Sequence, residues 1–197
     1  TVTINNFFLT YFLKSSARYN FLNIFVKHLL LIIKMKTQVL DHNQILRICN
    51  RFAFQIIENS IENDDIYIIG IKVKGYEISK IVKEQIESIC DKKVNLSYID
   101  IDKKNPIDSI KSDLIKNKNV KKVFLIDDVL NTGKTLAFSL SYLLKFNLDN
   151  IKTLVLIDRN HKQFPIKVDF KGISLSTNID DKVKLLNDDK KLRAILF

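Results

Sequence analysis

An α/β fold built on a central parallel sheet flanked by helices is predicted by two observations. Three runs, "DIYIIGI" (residues 65–71), "VKKVFLID" (120–127) and "IKTLVLID" (151–158), carry unbroken apolar stretches instead of alternating, as strands covered on both faces do. Segments of helical spacing separate them, the order that places helices on both sides of one sheet. A chain of 197 residues has the length of one domain, or of one domain with an extension. Its 46% hydrophobic content supports a sizeable core and, with 10% aromatic residues, argues against disorder.

The elements follow in order. Residues 1–34 hold no Asp or Glu but four basic residues, Lys14, Arg18, Lys27 and Lys34, and the single methionine, Met35, comes next. Three readings of this extension stand: an acid-poor targeting segment, a membrane-surface helix around "FLNIFVKHLLLIIK", or upstream sequence joined by a wrong start. The third is favoured. Lys27 and His28 interrupt the apolar run too early for a spanning helix, so no stable membrane anchoring is expected. The domain is then residues 35–197. Asp41 is suited to cap a helix whose apolar face carries Leu40, Ile45, Leu46, Ile48 and Phe52. The strand 65–71 leads through Lys72-Val73-Lys74-Gly75 into a helix over 77–88. Residues 94–101 read as a strand, and the polar stretch 102–118, with Pro106, as a long mobile loop or a loop plus a short helix. The strand 120–127, a helix over 135–146, the strand 151–158 and a short β-rich tail complete the chain.

Lys and Arg (32) exceed Asp and Glu (22), giving net +10. That suits a polyanionic partner or a phosphorylated substrate, although the Lys-, Asn- and Ile-rich bias of an AT-rich genome accounts for it equally. Cys49 and Cys90 are far apart and lack metal spacing. They read as buried free thiols of a reducing, cytoplasmic compartment.

The chemistry concentrates in "VFLIDDVLNTGKT", residues 123–135. Thr132-Gly133-Lys134-Thr135 invites an NTPase reading, but such a loop needs a glycine where Asp128 stands. What remains is a strand, a turn and a helix start, whose backbone N–H groups and Thr132 and Thr135 hydroxyls suit a phosphate. Asp127 and Asp128 would repel that phosphate, but they suit two vicinal hydroxyls. A sugar 5-phosphate satisfies both demands.

The stretch resembles the phosphoribosyl-pyrophosphate (PRPP) signature of type I phosphoribosyltransferases. "IIGIKVKGYEISKIVKEQI" looks like the pyrophosphate-loop strand and helix of that fold. "LVLIDRNHKQFPIKVDFKGISLST" and "ILRICNRFAFQIIE" are similar to segments of the bifunctional pyrimidine-operon attenuator/uracil phosphoribosyltransferases. The resemblance covers Met35 to about residue 186. It implies the type I phosphoribosyltransferase fold, with a small β-rich hood or tail. By position it implies that Asp127 and Asp128 bind the ribose hydroxyls, and that Asn131, Thr132, Gly133, Lys134 and Thr135 hold the 5-phosphate. Lys72, Val73, Lys74 and Gly75 would form the pyrophosphate loop, with a cis peptide between Val73 and Lys74. Ile157, Asp158 and Arg159 would lie near the base. Mg²⁺ would arrive with PRPP instead of occupying a direct protein site, and the loop 102–118 would close over the cavity. A homo-oligomer is expected.

The resemblance also has departures. Purine-using relatives carry an aspartate at the position of Asn131 that helps deprotonate the base; an amide cannot, which points away from purines and leaves no general base assigned. The loop 102–118 lacks the Tyr-Arg pair of the attenuator family. On the RNA-facing surface, Arg51, Lys162 and Lys167 keep charge and are the candidate RNA contacts. Phe54 stands in place of histidine and Ile173 in place of lysine, while His161 matches the family without an assigned role. The reading that follows is conversion of uracil and PRPP to UMP and pyrophosphate. The alternatives are an RNA-binding regulator of pyrimidine genes, or a PRPP-binding protein with little catalysis.

Overall fold

The computed structural model describes residues 37–60, 65–102, 110–113, 120–189 and 191–197. The extension 1–34 lies outside them, as do 103–109 and 114–119 of the predicted loop. In chain order the elements are β1 (Thr37–Leu40), α1 (His42–Asn59), β2 (Ile66–Ile71), α2 (Lys74–Ile89), β3 (Val94–Asp100), β4 (Lys111–Ser112), β5 (Lys122–Leu130), α3 (Lys134–Leu143), β6 (Asn150–Asp158), β7 (Phe170–Ser174), β8 (Val183–Asp188) and β9 (Lys191–Leu196).

The main sheet runs β4-β3-β2-β5-β6-β7. Every pairing is parallel except that of β4, which lies antiparallel on β3 through Ile99–Ser112 and Asp100–Lys111. The predicted parallel sheet is therefore present. The β-rich tail is the hairpin β8–β9, which shares a second sheet with β1 in the order β1-β9-β8.

Both faces of the main sheet are covered, which explains the unbroken apolar strands. Phe124, Ile126, Leu154 and Leu156 pack with Ile45, Cys49, Phe52 and Ile56 of α1 and Ile78, Val82 and Ile86 of α2. Val123, Leu125 and Val155 pack on the other face with Leu136 and Leu143 of α3. Burying a leucine or isoleucine side chain stabilises by about 1.5–3 kcal/mol, so these layers dominate the fold's stability.

Several local expectations are corrected. Asp41 does cap α1, in a reciprocal capping box: its Oδ1 accepts the Gln44 N–H (2.7 Å) and Gln44 Oε1 accepts the Asp41 N–H (2.8 Å). That cap sets the helix boundary, so Leu40, read as part of the helical face, instead ends β1 as a buried core residue. α2 begins at Lys74, not at residue 77. Gly75 is a buried helical residue, and a Cβ there would stand 2.6 Å from the Ile126 carbonyl and 2.9 Å from Asp127 Cα. Only glycine lets the helix start press this closely on β5. α3 stops at Leu143, short of residue 146, where the N–H groups of Lys145 and Phe146 turn back to the carbonyls of Tyr142 and Leu143. β5 runs on through both acids to Leu130, held by its register with β6. Part of the expected loop is the strand β4. Cys49 is fully buried, which pushes its thiol up to about 12, but Cys90 is only half-buried at the end of α2.

Candidate functional site

The strand order reverses between β2 and β5, since β3 follows β2 on one side and β6 follows β5 on the other. In an open α/β sheet this is where a crevice forms beyond the carboxyl ends of the strands. A cavity of about 800 Å³ lies there. Its wall includes Lys72, Val73 and Lys74 after β2, the acids Asp127 and Asp128 on β5, and Asn131 to Thr135 across the turn into α3. The three groups expected from sequence thus share one space. Gly75 contributes through its close fit against β5, not as part of the wall.

Each group is held locally. Asp127 is buried, and its Oδ1 accepts the N–H of half-exposed Asp128 at 2.9 Å. Gly133 adopts φ 83°, a conformation open to glycine at little cost, and this turns the chain from β5 into α3. The Thr132 hydroxyl accepts the Lys134 N–H at 3.3 Å, while the Thr132 carbonyl accepts the N–H groups of Gln163 and Phe164. The loop is therefore fixed from behind, and its helix start opens on the cavity.

The turn after β2 carries the positive charge. Lys72 donates its N–H to the Ile99 carbonyl and stands over the Tyr98 ring, and Lys74 pairs with Glu77 at 3.0 Å. The cis peptide falls between Lys72 and Val73, one bond earlier than the resemblance implied. Asp100 and Asp102 also line the cavity; sequence reasoning missed Asp100 and had Asp102 only as the first residue of the loop expected to close over the site. They stand at and just beyond the end of β3, brought in by its parallel register with β2. Their signal was the carboxyl end of a strand, which points to a site only once the strand order is known.

Among the described residues, no three Asp, Glu, His or Cys side chains gather to hold a metal by themselves. The four cavity carboxylates are nonetheless hard oxygen donors, the kind Mg²⁺ takes when substrate phosphates complete its shell.

Ile157, Asp158 and Arg159 are all buried at the end of β6, beside the cavity and not on its wall. Asp158 pairs with Lys162 at 3.0 Å and with Lys171 at 3.7 Å. Arg159 donates from Nη1 to Asn131 Oδ1 (3.0 Å), from Nε and Nη2 to Thr177 Oγ1 (3.1 and 2.8 Å), and from Nη2 to the Asn178 carbonyl (3.1 Å). Its link to the cavity is Asn131. His161 Nε2 lies 2.6 Å from the Thr177 carbonyl, which can only accept, so that nitrogen carries the proton.

The basic residues singled out for RNA are partly engaged. Arg51 Nη2 donates to the carbonyls of Lys171 (3.0 Å) and Gly172 (2.7 Å), and Lys162 serves Asp158. Lys167 is exposed beside an open hollow over residues 162–167. Phe54 is 48% exposed, and Ile173 packs half-buried against the core.

Comparison with known proteins bears on the family and the fold. The phosphoribosyl transferase domain family matches residues 35–186. The bifunctional protein PyrR of Clostridium botulinum (strain Alaska E43 / Type E3) is 34% identical over 164 residues, covering 78% of this chain and 90% of the relative. That of Pasteurella multocida (strain Pm70) is 32% identical over 164 residues, covering 77% and 90%. Among solved structures, the hypoxanthine-guanine phosphoribosyltransferase of Bacillus anthracis superposes with a TM-score of 0.59 at 18% identity, over 71% of this chain and 82% of that one. The hypoxanthine phosphoribosyltransferase of Trypanosoma cruzi gives 0.62 at 11% identity, over 80% and 95%. At such identities the structural likeness is one of fold.

Proposed function

The chain belongs to the phosphoribosyl transferase domain family, and from that premise we propose that it transfers the phosphoribosyl group of PRPP to uracil, giving UMP and pyrophosphate. The observation that carries this reading is the single cavity shared by two acids, a helix start behind Gly133 and a lysine-bearing turn. PRPP needs all three. Its 5-phosphate suits the N–H groups and hydroxyls of Thr132 and Thr135, its ribose hydroxyls suit Asp127 and Asp128, and its pyrophosphate suits Lys72 and Lys74.

The reaction breaks the bond between the anomeric carbon and pyrophosphate, leaving positive charge on the ribose and the electron pair on the departing oxygen. Lys72 and Lys74 stabilise that departing charge, while the fixed phosphate loop and the acid pair keep the ribose oriented for the incoming base nitrogen. Asp100, Asp102 and the acid pair are the residues that would help hold Mg²⁺ brought with PRPP, and the ion would supply further neutralisation of leaving-group charge.

Uracil is favoured by the amide at Asn131, which cannot take a proton from a purine, and by the similarity to proteins named PyrR. The regulatory reading is weaker, because Arg51 and Lys162 already serve internal partners. The test is product formation by the purified protein with PRPP, Mg²⁺ and, in turn, uracil, cytosine, hypoxanthine and guanine. UMP formation with uracil alone supports the proposal; turnover confined to purines, or none with any base, overturns it.

A further inference from the structure

The contact between Arg159 and Asn131 settles which way an amide points. A guanidinium has only donors, so the atom of Asn131 that meets Arg159 Nη1 at 3.0 Å is the carbonyl oxygen. Arg159 is itself 3% exposed and fixed by three further hydrogen bonds, two to Thr177 Oγ1 and one to the Asn178 carbonyl. With its oxygen committed, Asn131 has its NH₂ group on the side away from the guanidinium. Asn131 also lines the cavity.

We propose that Asn131 is a specificity-determining residue, whose NH₂ group donates to a carbonyl oxygen on the edge of the bound nucleobase. In this arrangement Arg159 and Thr177 are positioning residues that hold the amide in that sense. The inference rests on the reading of the cavity as a phosphoribosyl and base site, and it names the base class: an oxo base in preference to its amino counterpart. An exocyclic amino group at the same edge would set donor against donor and leave both unpaired. A site built to hydrogen-bond a substrate atom rejects analogues lacking it far better than an apolar pocket does.

Two pairs of nucleotides test the idea without requiring turnover. UMP and CMP differ at the oxygen or amino group of the pyrimidine, and IMP and AMP differ likewise on the purine. Calorimetric titration of the full chain should show at least tenfold tighter binding of the oxo member of the pair that fits. Asn131→Leu, similar in size but without a donor, should reduce that ratio below threefold, chiefly by weakening the oxo member. Thr177→Val removes the oxygen that orients Arg159 while keeping shape. It should lower the ratio partway and leave PRPP affinity within twofold, which a loss of folding would not do. Equal affinity within both pairs, or full discrimination in Asn131→Leu, overturns the inference. Discrimination of IMP from AMP without binding of UMP would overturn the uracil reading and leave the donor role standing. Absence of binding by all four nucleotides would overturn both.

Discussion

The Lys72 ammonium lies 3.5 Å from the centre of the Tyr98 ring, and two residues further on Lys74 pairs with Glu77 at 3.0 Å. Both cations of the turn after β2 are thus held in place by partners of modest strength. An exposed cation–π contact is worth about 0.5–1 kcal/mol, and an ion pair this open to solvent no more. In the proposed PRPP site, a pyrophosphate carrying several charges would displace either partner without disturbing the fold.

On the proposed reading, Glu77 would compete with the pyrophosphate of PRPP for Lys74. We expect Glu77→Gln to tighten PRPP binding about two- to fivefold, on the scale of an exposed ion pair. Replacing both Lys72 and Lys74 by Ala should weaken it at least tenfold. Titration calorimetry at two salt concentrations reads both effects. Weaker binding by Glu77→Gln would mean that the acid orients Lys74 for the ligand.

The acid pair should matter more for PRPP than for folding. Asp127→Asn combined with Asp128→Asn keeps shape but removes the charged acceptors for the ribose hydroxyls. Charge-assisted hydrogen bonds are worth about 1.5–3 kcal/mol each, so PRPP affinity should drop at least tenfold. An unchanged affinity in the double variant would sink the assignment.

These predictions rest on residues that were legible because they are contiguous. The acid pair and the Thr-Gly-Lys-Thr turn occupy one short stretch, and the apolar runs around it could be recognised as strands one at a time. What escaped reading depends on distant partners. The start of α2 is set by Gly75 fitting beneath the Ile126 carbonyl, and Asp100 reaches the cavity because β3 pairs with β2. Asn131 could be placed in the phosphate loop from its motif. Its bond to Arg159 spans 28 residues, and no local pattern encodes it. The cis peptide was placed one bond too late because resemblance identified the turn but not its register.

Acid should loosen the attachment of the segment before β7. Burial alone would raise the Asp169 carboxyl. Hydrogen bonds from the Lys152 ammonium (2.9 Å), the Thr153 N–H (2.9 Å) and the Thr153 hydroxyl (3.0 Å), with the Lys152 charge, more than offset it and hold the group below its usual range. A carboxyl lowered in this way stabilises the folded state above its unfolded pKa and loses that contribution as pH falls through the folded one. Because the pair is partly open to solvent, Asp169→Asn should cost only about 1 kcal/mol at pH 7. The difference should shrink steadily below pH 4. Urea unfolding of both proteins across that range measures it, and a gap that stays constant into acid would show that the charge is not its source.

RNA binding, finally, should behave as a general attraction between charges. Arg51 spends Nη2 on two backbone carbonyls at β7, and Lys162 neutralises buried Asp158. All three residues are exposed, and Lys167 is the one of them not drawn into these bonds. Reading a splayed base needs side chains that stack or hydrogen-bond at fixed places. Phe54, at 48% exposure, can stack; Ile173, packed against the core, can neither donate to a base nor pair with a phosphate. A generic cationic surface binds through counterion release, so affinity should fall steeply with salt. It should differ less than threefold between a pyrimidine-operon leader and a scrambled RNA. Filter binding across a salt series, with and without UMP, makes the comparison. Discrimination of a hundredfold or more, strengthened by UMP, would make the regulatory reading the better one.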